Sequence, residues 1–211
     1  MPFDHPVVDD AALGALYAQP HPLVQDKVID HLDPAARAFV AASPFLVVAT
    51  TGPRGADASP RGGPPGFVAV LDDHRIAFGD LAGNNRLDTF GNVLHEPQVG
   101  LLFLIPGLGE TLRVNGRATL TTDPDVLDRT TIDGRRPKVA MGIDVSACFV
   151  HCAKAFRRAG LWDPASWPPP EHRPTAGQLL KDHLGLDVAP EAIDADLEQS
   201  YRATLWTAGG T

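Results

Sequence analysis

Between Phe45 and Val150 the chain breaks into short β-branched or aromatic runs separated by turn residues, while its two ends carry apolar residues at helical spacing. Runs of four to eight such residues bounded by Gly, Pro, Asn and Asp read as strands, and several in succession predict a meander of hairpins. FLVVATT from Phe45, the glycine-rich run around Ser59, FVAVL from Phe67, RIAFG from Arg75, VGLLFLI from Val99 and TLRVNGRATLT from Thr111 supply six strands. KVAMGIDVSACFV, Lys138 to Val150, has the apolar richness of a last one. Helical periodicity interrupts the series from about Asn85 to His95, where Leu87, Phe90 and Leu94 fall on one face, and again from Asp123 to Thr131. The predicted fold is mainly β, with flanking helices and a helical extension at the carboxyl end.

The first forty residues hold three short helical patterns, roughly Ala11 to Tyr17, Val24 to Leu32 and Pro34 to Ala42. Asp33 is the N-cap of the last and Pro34 its first helical residue, which turns Phe39 and Val40 inward. Pro20 and Pro22 break the earlier part, so residues 1–44 read as an arm packed on a barrel spanning 45–162. Residues 163–211 begin with the proline-rich connector PASWPPPEHRP and continue into helices from Ala176 to Leu184 and from Glu191 to Trp206. In the second of these, Ile193, Leu197, Tyr201 and Leu205 form an apolar stripe suited to docking on the barrel or on a partner subunit.

With 211 residues, 44% of them hydrophobic, the chain can bury one sizeable core. Its formal charge of -8 disfavours nucleic acid and anionic membranes, which are gripped by clustered Lys and Arg. No run approaches 18 apolar residues, and MPFDHPVVDD has neither a basic nor an apolar leader segment, so a cytoplasmic location is expected. Cys148 and Cys152 are too few for a disulfide scaffold and are expected to be reduced. They stand beside His151, but a structural zinc site needs four ligands and no second Cys/His pair lies at finger-like spacing. Neither GxGxxG nor GxxxxGK[ST] occurs, and no Ser-His-Asp arrangement can be argued.

Candidate chemistry concentrates in residues 57–89. Ser59-Pro60-Arg61-Gly62-Gly63-Pro64-Pro65-Gly66 is poor in side chains and holds its backbone open to a close neighbour. Arg61 on this small, apolar strand needs a partner, either a phosphate or water. Asn84, Asn85 and Arg86, at the start of the helix that follows, offer amides and a guanidinium to a phosphate, although a helix cap beside a solvated arginine would look the same. Lys154, Arg157 and Arg158 form a second cationic cluster. Arg113 and Arg117 share one strand face and read as solvated.

Four blocks in order, ASPRGGPPGF, GNNRLDTFGNVLHEPQVGLLFLIPG, ETLRVNGRA and FVHCAKAFRRAGLWDP, resemble the pyridoxamine 5'-phosphate oxidase-like proteins of the FMN-binding split-barrel superfamily. The resemblance spans about Phe45 to Trp167 and implies FMN and a homodimer with flavins at the subunit interface. By the same resemblance Asn84, Asn85 and Arg86 stand where the oxidases hold the flavin phosphate, usually with Arg-Lys in place of Asn-Arg. A cation from Arg61 or from the partner subunit, with Lys154 the candidate, would make up the difference. Ser59 to Gly63 match the strand along the flavin ring, with Gly62 and Gly63 permitting close approach. Phe78 and Gly79 match the strand end that lines the cofactor, and Trp162 either covers the ring from the partner or packs in an interface. Thr111 takes the place of a longer amide side chain.

The implied activity is hydride transfer at flavin N5 with a small substrate. Oxidation of pyridoxamine phosphate itself is disfavoured, because the Arg-x-His that handles that substrate is missing. A non-catalytic flavin-binding protein, and a split barrel using haem or the deazaflavin F420, remain alternatives.

Overall fold

The computed structural model describes residues 3–81, 83 and 85–206. Seven strands form one sheet: β1 Phe45–Gly52, β2 Gly55–Gly62, β3 Val68–Val70, β4 Arg75–Gly79, β5 Gln98–Leu104, β6 Thr111–Thr121 and β7 Ala140–His151. Their order is β2-β1-β5-β6-β7-β4-β3, and every pairing is antiparallel. The sheet curls on itself into a half-barrel with flanking helices, a split barrel, and leaves β2 and β3 as its two edges.

Alternation sets the inner face. Leu46 and Val48 on β1, Leu101 and Phe103 on β5 and Val114 on β6 point into the core, joined by Ile76 and Phe78 from β4 and Met141 and Ile143 from β7. Each such side chain, fully removed from water, contributes about 1.5–3 kcal/mol of burial free energy. Two buried polar contacts lock the core to its surroundings. Asn92 Nδ2 donates to Thr50 Oγ1 at 3.0 Å, and Ser43 Oγ donates to the carbonyls of Phe45 and Leu104 at 2.8 and 2.7 Å.

One irregularity re-aims β7. Against β6 its register slips between Asn115 and Gly116, so that Asn115 pairs with Ala147 but Gly116 with Val145, and Ser146 is the extra residue of a β-bulge. Met141, Ile143 and Val145 are buried before the bulge, and Cys148 after it. A side chain at Gly116 would lie 2.2 Å from the Asp144 carbonyl, which keeps this position a glycine.

The described residues form eight α-helices: α1 Asp10–Gly14, α2 Pro22–Asp26, α3 Pro34–Ala42, α4 Asp88–His95, α5 Pro124–Arg129, α6 Lys154–Ala159, α7 Ala176–Leu184 and α8 Pro190–Thr204, with α3 and α4 packed on the sheet. In α3, Asp33 Oδ1 accepts from Ala36 N at 2.7 Å, Val40 is fully buried and Phe39 packs half-buried against the core. Helices α1 and α2 are shorter than the sequence pattern predicts and bury nothing. In α8, Ile193 and Leu197 are half-buried while Tyr201 and Leu205 are exposed, and α8 packs on α7 with Asp194 accepting from Gly177 N at 2.7 Å.

Two expectations for α4 need correction. It begins at Asp88 rather than Asn85, because Asn85 and Leu87 adopt left-handed φ of 57° and 56°. Its inward face is Thr89, Phe90, Asn92 and Val93, leaving Leu87 and Leu94 exposed. Among the described residues no helix is long and apolar enough to cross a membrane.

Candidate functional site

A cavity of about 620 Å³ opens at the seam of the split barrel, where edge strand β2 faces the end of β4 and the segment leading into α4. One wall is the face of β2 that carries Asp57, Ser59 and Arg61 at alternate positions. The opposite wall is Phe78 to Leu81 with Asn85 to Asp88, and Phe67 and Phe90 add apolar surface. Seven residues singled out from sequence therefore meet around one space: Ser59, Arg61, Gly62, Phe78, Gly79, Asn85 and Arg86. Asn84 lies outside the described residues.

The remaining three sit elsewhere. Gly63 is next to the cavity rather than on its lining. Thr111 is buried and lines a second recess on the outer face of the sheet, and Lys154 is exposed on α6 beside that recess. Within one subunit neither of these two lines the cavity.

The glycines divide in an unexpected way. A Cβ on Gly63 would come within 2.6 Å of Phe67 Cβ, and one on Gly79 within 2.6 Å of the Pro137 ring, so these two serve the protein's own packing. At Gly62 the nearest atom would be 3.6 Å away, and here the backbone has space beside it.

The electrostatics add three acids that sequence reasoning missed. Asp57 and Asp80 flank Arg61. Burial pushes the Arg61 guanidinium below its usual range, and the two carboxylates partly offset that push. Burial likewise holds the Asp80 carboxyl above the ordinary carboxylate range, opposed by Arg61. Ser59 Oγ donates to Asp57 at 2.9 Å, and an Arg61 Nη1 donates to the Pro60 carbonyl at 2.8 Å. On the other wall Arg86 Nε donates to Asp88 at 2.7 Å, while Arg54, from the β1–β2 turn, pairs with the second oxygen of the same carboxylate. Period-two spacing back from Arg61 was the available signal for Asp57, and for Asp80 its place directly after the Gly79 strand end. For Arg54 and Asp88, 34 residues apart, there was none.

Such a site joins two guanidiniums and an amide to aromatic walls, and so suits an anionic group attached to a flat, apolar ring system. Among the described residues no three His, Cys, Asp or Glu side chains gather into a metal-binding group.

An antiparallel split barrel with a polar cavity at its open seam defines the class of protein. The family model for pyridoxamine 5'-phosphate oxidase matches residues 32–152, the entire barrel, and the chain belongs to this oxidase-like family. No curated protein sequence matches it. Similar solved structures include HupZ of Group A Streptococcus, 17% identical with a TM-score of 0.46 over 56% of this chain and 92% of that one. A Clostridium acetobutylicum protein related to general stress protein 26, of the pyridoxinephosphate oxidase family, is 12% identical with a TM-score of 0.41 over 56% and 85%. A pyridoxamine 5'-phosphate oxidase-related, FMN-binding protein of Nostoc punctiforme is 21% identical with a TM-score of 0.30 over 44% and 45%.

Proposed function

We propose that this protein binds FMN in the seam cavity and acts as an oxidoreductase on a small organic substrate, as a homodimer with the flavin near the subunit interface. The observation that carries the reading is the pairing of Arg61 and Arg86 on facing walls of a cavity lined also by Phe67 and Phe90. Family membership supports the flavin. Bound FMN would supply hydride transfer at N5.

The residues divide the binding work. Arg86 and Asn85, with the first N–H groups of α4, hold the phosphate, and Arg86 leaves Asp88 to do so while Arg54 keeps that carboxylate paired. Phe90 and Phe67 supply apolar edges for the ring system, Gly62 gives the backbone room to approach its edge, and Arg61 offers positive charge to its polar side. Asp57 and Asp80 limit that charge, so the cavity is not a strong anion trap and the apolar walls carry a large share of the affinity. Thr111 and Lys154 would touch the flavin only across a subunit boundary.

The visible spectrum of purified protein, with mass identification of what it releases, tests the reading. Flavin absorption bands and a released mass of FMN are expected. A Soret band, a deazaflavin spectrum, or colourless protein that takes up no FMN would overturn it. A yellow protein that neither accepts electrons from reduced nicotinamides nor passes them on would leave a flavin-binding protein without turnover.

A further inference from the structure

Three carboxylates and two guanidiniums line the seam cavity, and the acids are not held alike. Asp57 accepts from Ser59 Oγ at 2.9 Å, and Asp88 receives both Arg86 and Arg54. Asp80 has no such donor. Among the described residues no hydrogen bond reaches its carboxylate, and the cation that acts on it is Arg61, from the facing wall. Its backbone is fixed all the same, because Asp80 N donates to the Val139 carbonyl at 2.9 Å and Gly79 packs tightly on the Pro137 ring. The residue is half-buried, on the wall that also carries Asn85 and Arg86.

The charges near Asp80 come from each element that meets there. Strand β2 brings Arg61 and Asp57, and the segment entering α4 brings Arg86 and Asp88, with Arg54 of the β1–β2 turn on Asp88. Lys138, next to Val139, is exposed and does not line the cavity. In the empty cavity Asp80 is balanced by Arg61, on which Asp57 also acts. A phosphate monoester that enters adds about 1.5 to 2 negative charges. Like charges crowded into a partly desolvated space do not all stay ionised, and the acid with the fewest donors gives way first. Asp57 and Asp88 are kept as anions by their hydrogen bonds. A protonated Asp80 gains an O–H, which turns it from a rival of the phosphate into a donor to it.

We propose that Asp80 takes up a proton as the phosphate of FMN enters the seam cavity, so that ligand and proton bind together, an inference that rests on FMN being the cavity's ligand. Burial already holds the Asp80 carboxyl above the ordinary carboxylate range in the empty cavity, and a neighbouring phosphate raises it further. Between the two values Asp80 is ionised in the free protein and protonated in the complex. There each rise in pH weakens binding, by up to about tenfold per pH unit. Below and above that window the contribution of Asp80 is constant.

Calorimetric titration of the full chain, freed of flavin, in two buffers of different ionisation enthalpy counts the protons that accompany FMN. Fluorescence titrations from about pH 5 to 9 follow the affinity. At its maximum the wild type should take up about one proton more than Asp80→Asn, and riboflavin, which lacks the phosphate, should show no such difference. The ligand's own phosphate step, near about pH 6, is common to both proteins and cancels in their ratio. FMN affinity of Asp80→Asn over wild type should rise from about one at the acid end to about tenfold or more at the alkaline end. Equal proton uptake with parallel pH profiles would overturn the proposal and leave the flavin reading standing. An Asp80→Asn protein that binds FMN more weakly at every pH would overturn it as well, since an ionised Asp80 would then be accepting a hydrogen bond from the ligand. FMN bound by neither protein at any pH would sink both.

Discussion

The seam cavity and the outer recess are built from similar materials and balance their charges differently. In the cavity every lining guanidinium has an acid beside it: Arg61 has Asp57 and Asp80, and Arg86 shares Asp88 with Arg54. At the recess the lining cation, Arg113, sits over the Phe149 ring at 5.0 Å from its centroid, and the floor beside it is apolar. Charges already matched at home suit a small ligand that comes and goes, since the empty site remains satisfied. A lone cation resting on an aromatic ring beside an apolar floor suits contact with another apolar surface.

The sharpest way to break this contrast is to place a charge in the recess floor. Leu102→Asp should raise the dimer dissociation constant by about 100-fold or more, read by sedimentation at micromolar concentration, because a buried unpaired carboxylate costs several kcal/mol. Unchanged association would remove the recess from the interface. Next in size is Arg61→Ala, which takes a cation from the cavity and leaves Asp57 and Asp80 facing each other. FMN affinity should fall by about 10- to 100-fold in a fluorescence titration. Arg86→Ala should cost less, about tenfold, since Arg86 gives up Asp88 when it binds phosphate. That loss should appear for FMN and not for riboflavin; equal losses would move the phosphate elsewhere.

A further effect, on stability and not on binding, concerns the strand beneath the recess. Burial, with Asp33 nearby, pushes the Cys148 thiol from 9.0 up to about 11. Between those values the unfolded chain releases a proton that the folded one retains, so stability falls as pH rises from 9 to 11. Cys148→Ala should flatten this alkaline limb by about 2 kcal/mol in denaturant titrations. An unaltered limb would mean that the thiol ionises freely in the folded protein.

The strands and the arginine-bearing edge were legible because period-two alternation and turn residues are local signals. The bounds of α3 and α7 were legible too, those of α3 from an N-cap aspartate with proline at the first position. What stayed hidden depended on contacts distant in sequence or on unusual backbone. Nothing in Leu87 announces a left-handed residue, so α4 was begun three residues early and its face misjudged. Gly63 and Gly79 looked like a cradle for a ligand, but Phe67 and Pro137 are what occupy that space. The carboxylates around Arg61 and Arg86 were visible as letters, yet only the folded seam assembles them into a nearly neutral site.

The extra residue at Ser146 has a consequence for how the chain tolerates change. Upstream of it odd-numbered side chains of β7 face the interior; downstream the even-numbered Cys148 does, while β6 keeps a single parity throughout. Deleting Ser146 would set Ala147 directly after Val145 and restore regular alternation with Val145 and Cys148 both still facing the core, so its loss would remove the local kink without reversing either face of the strand. One extra residue thereby bends the strand while both of its halves keep their apolar side chains on the core.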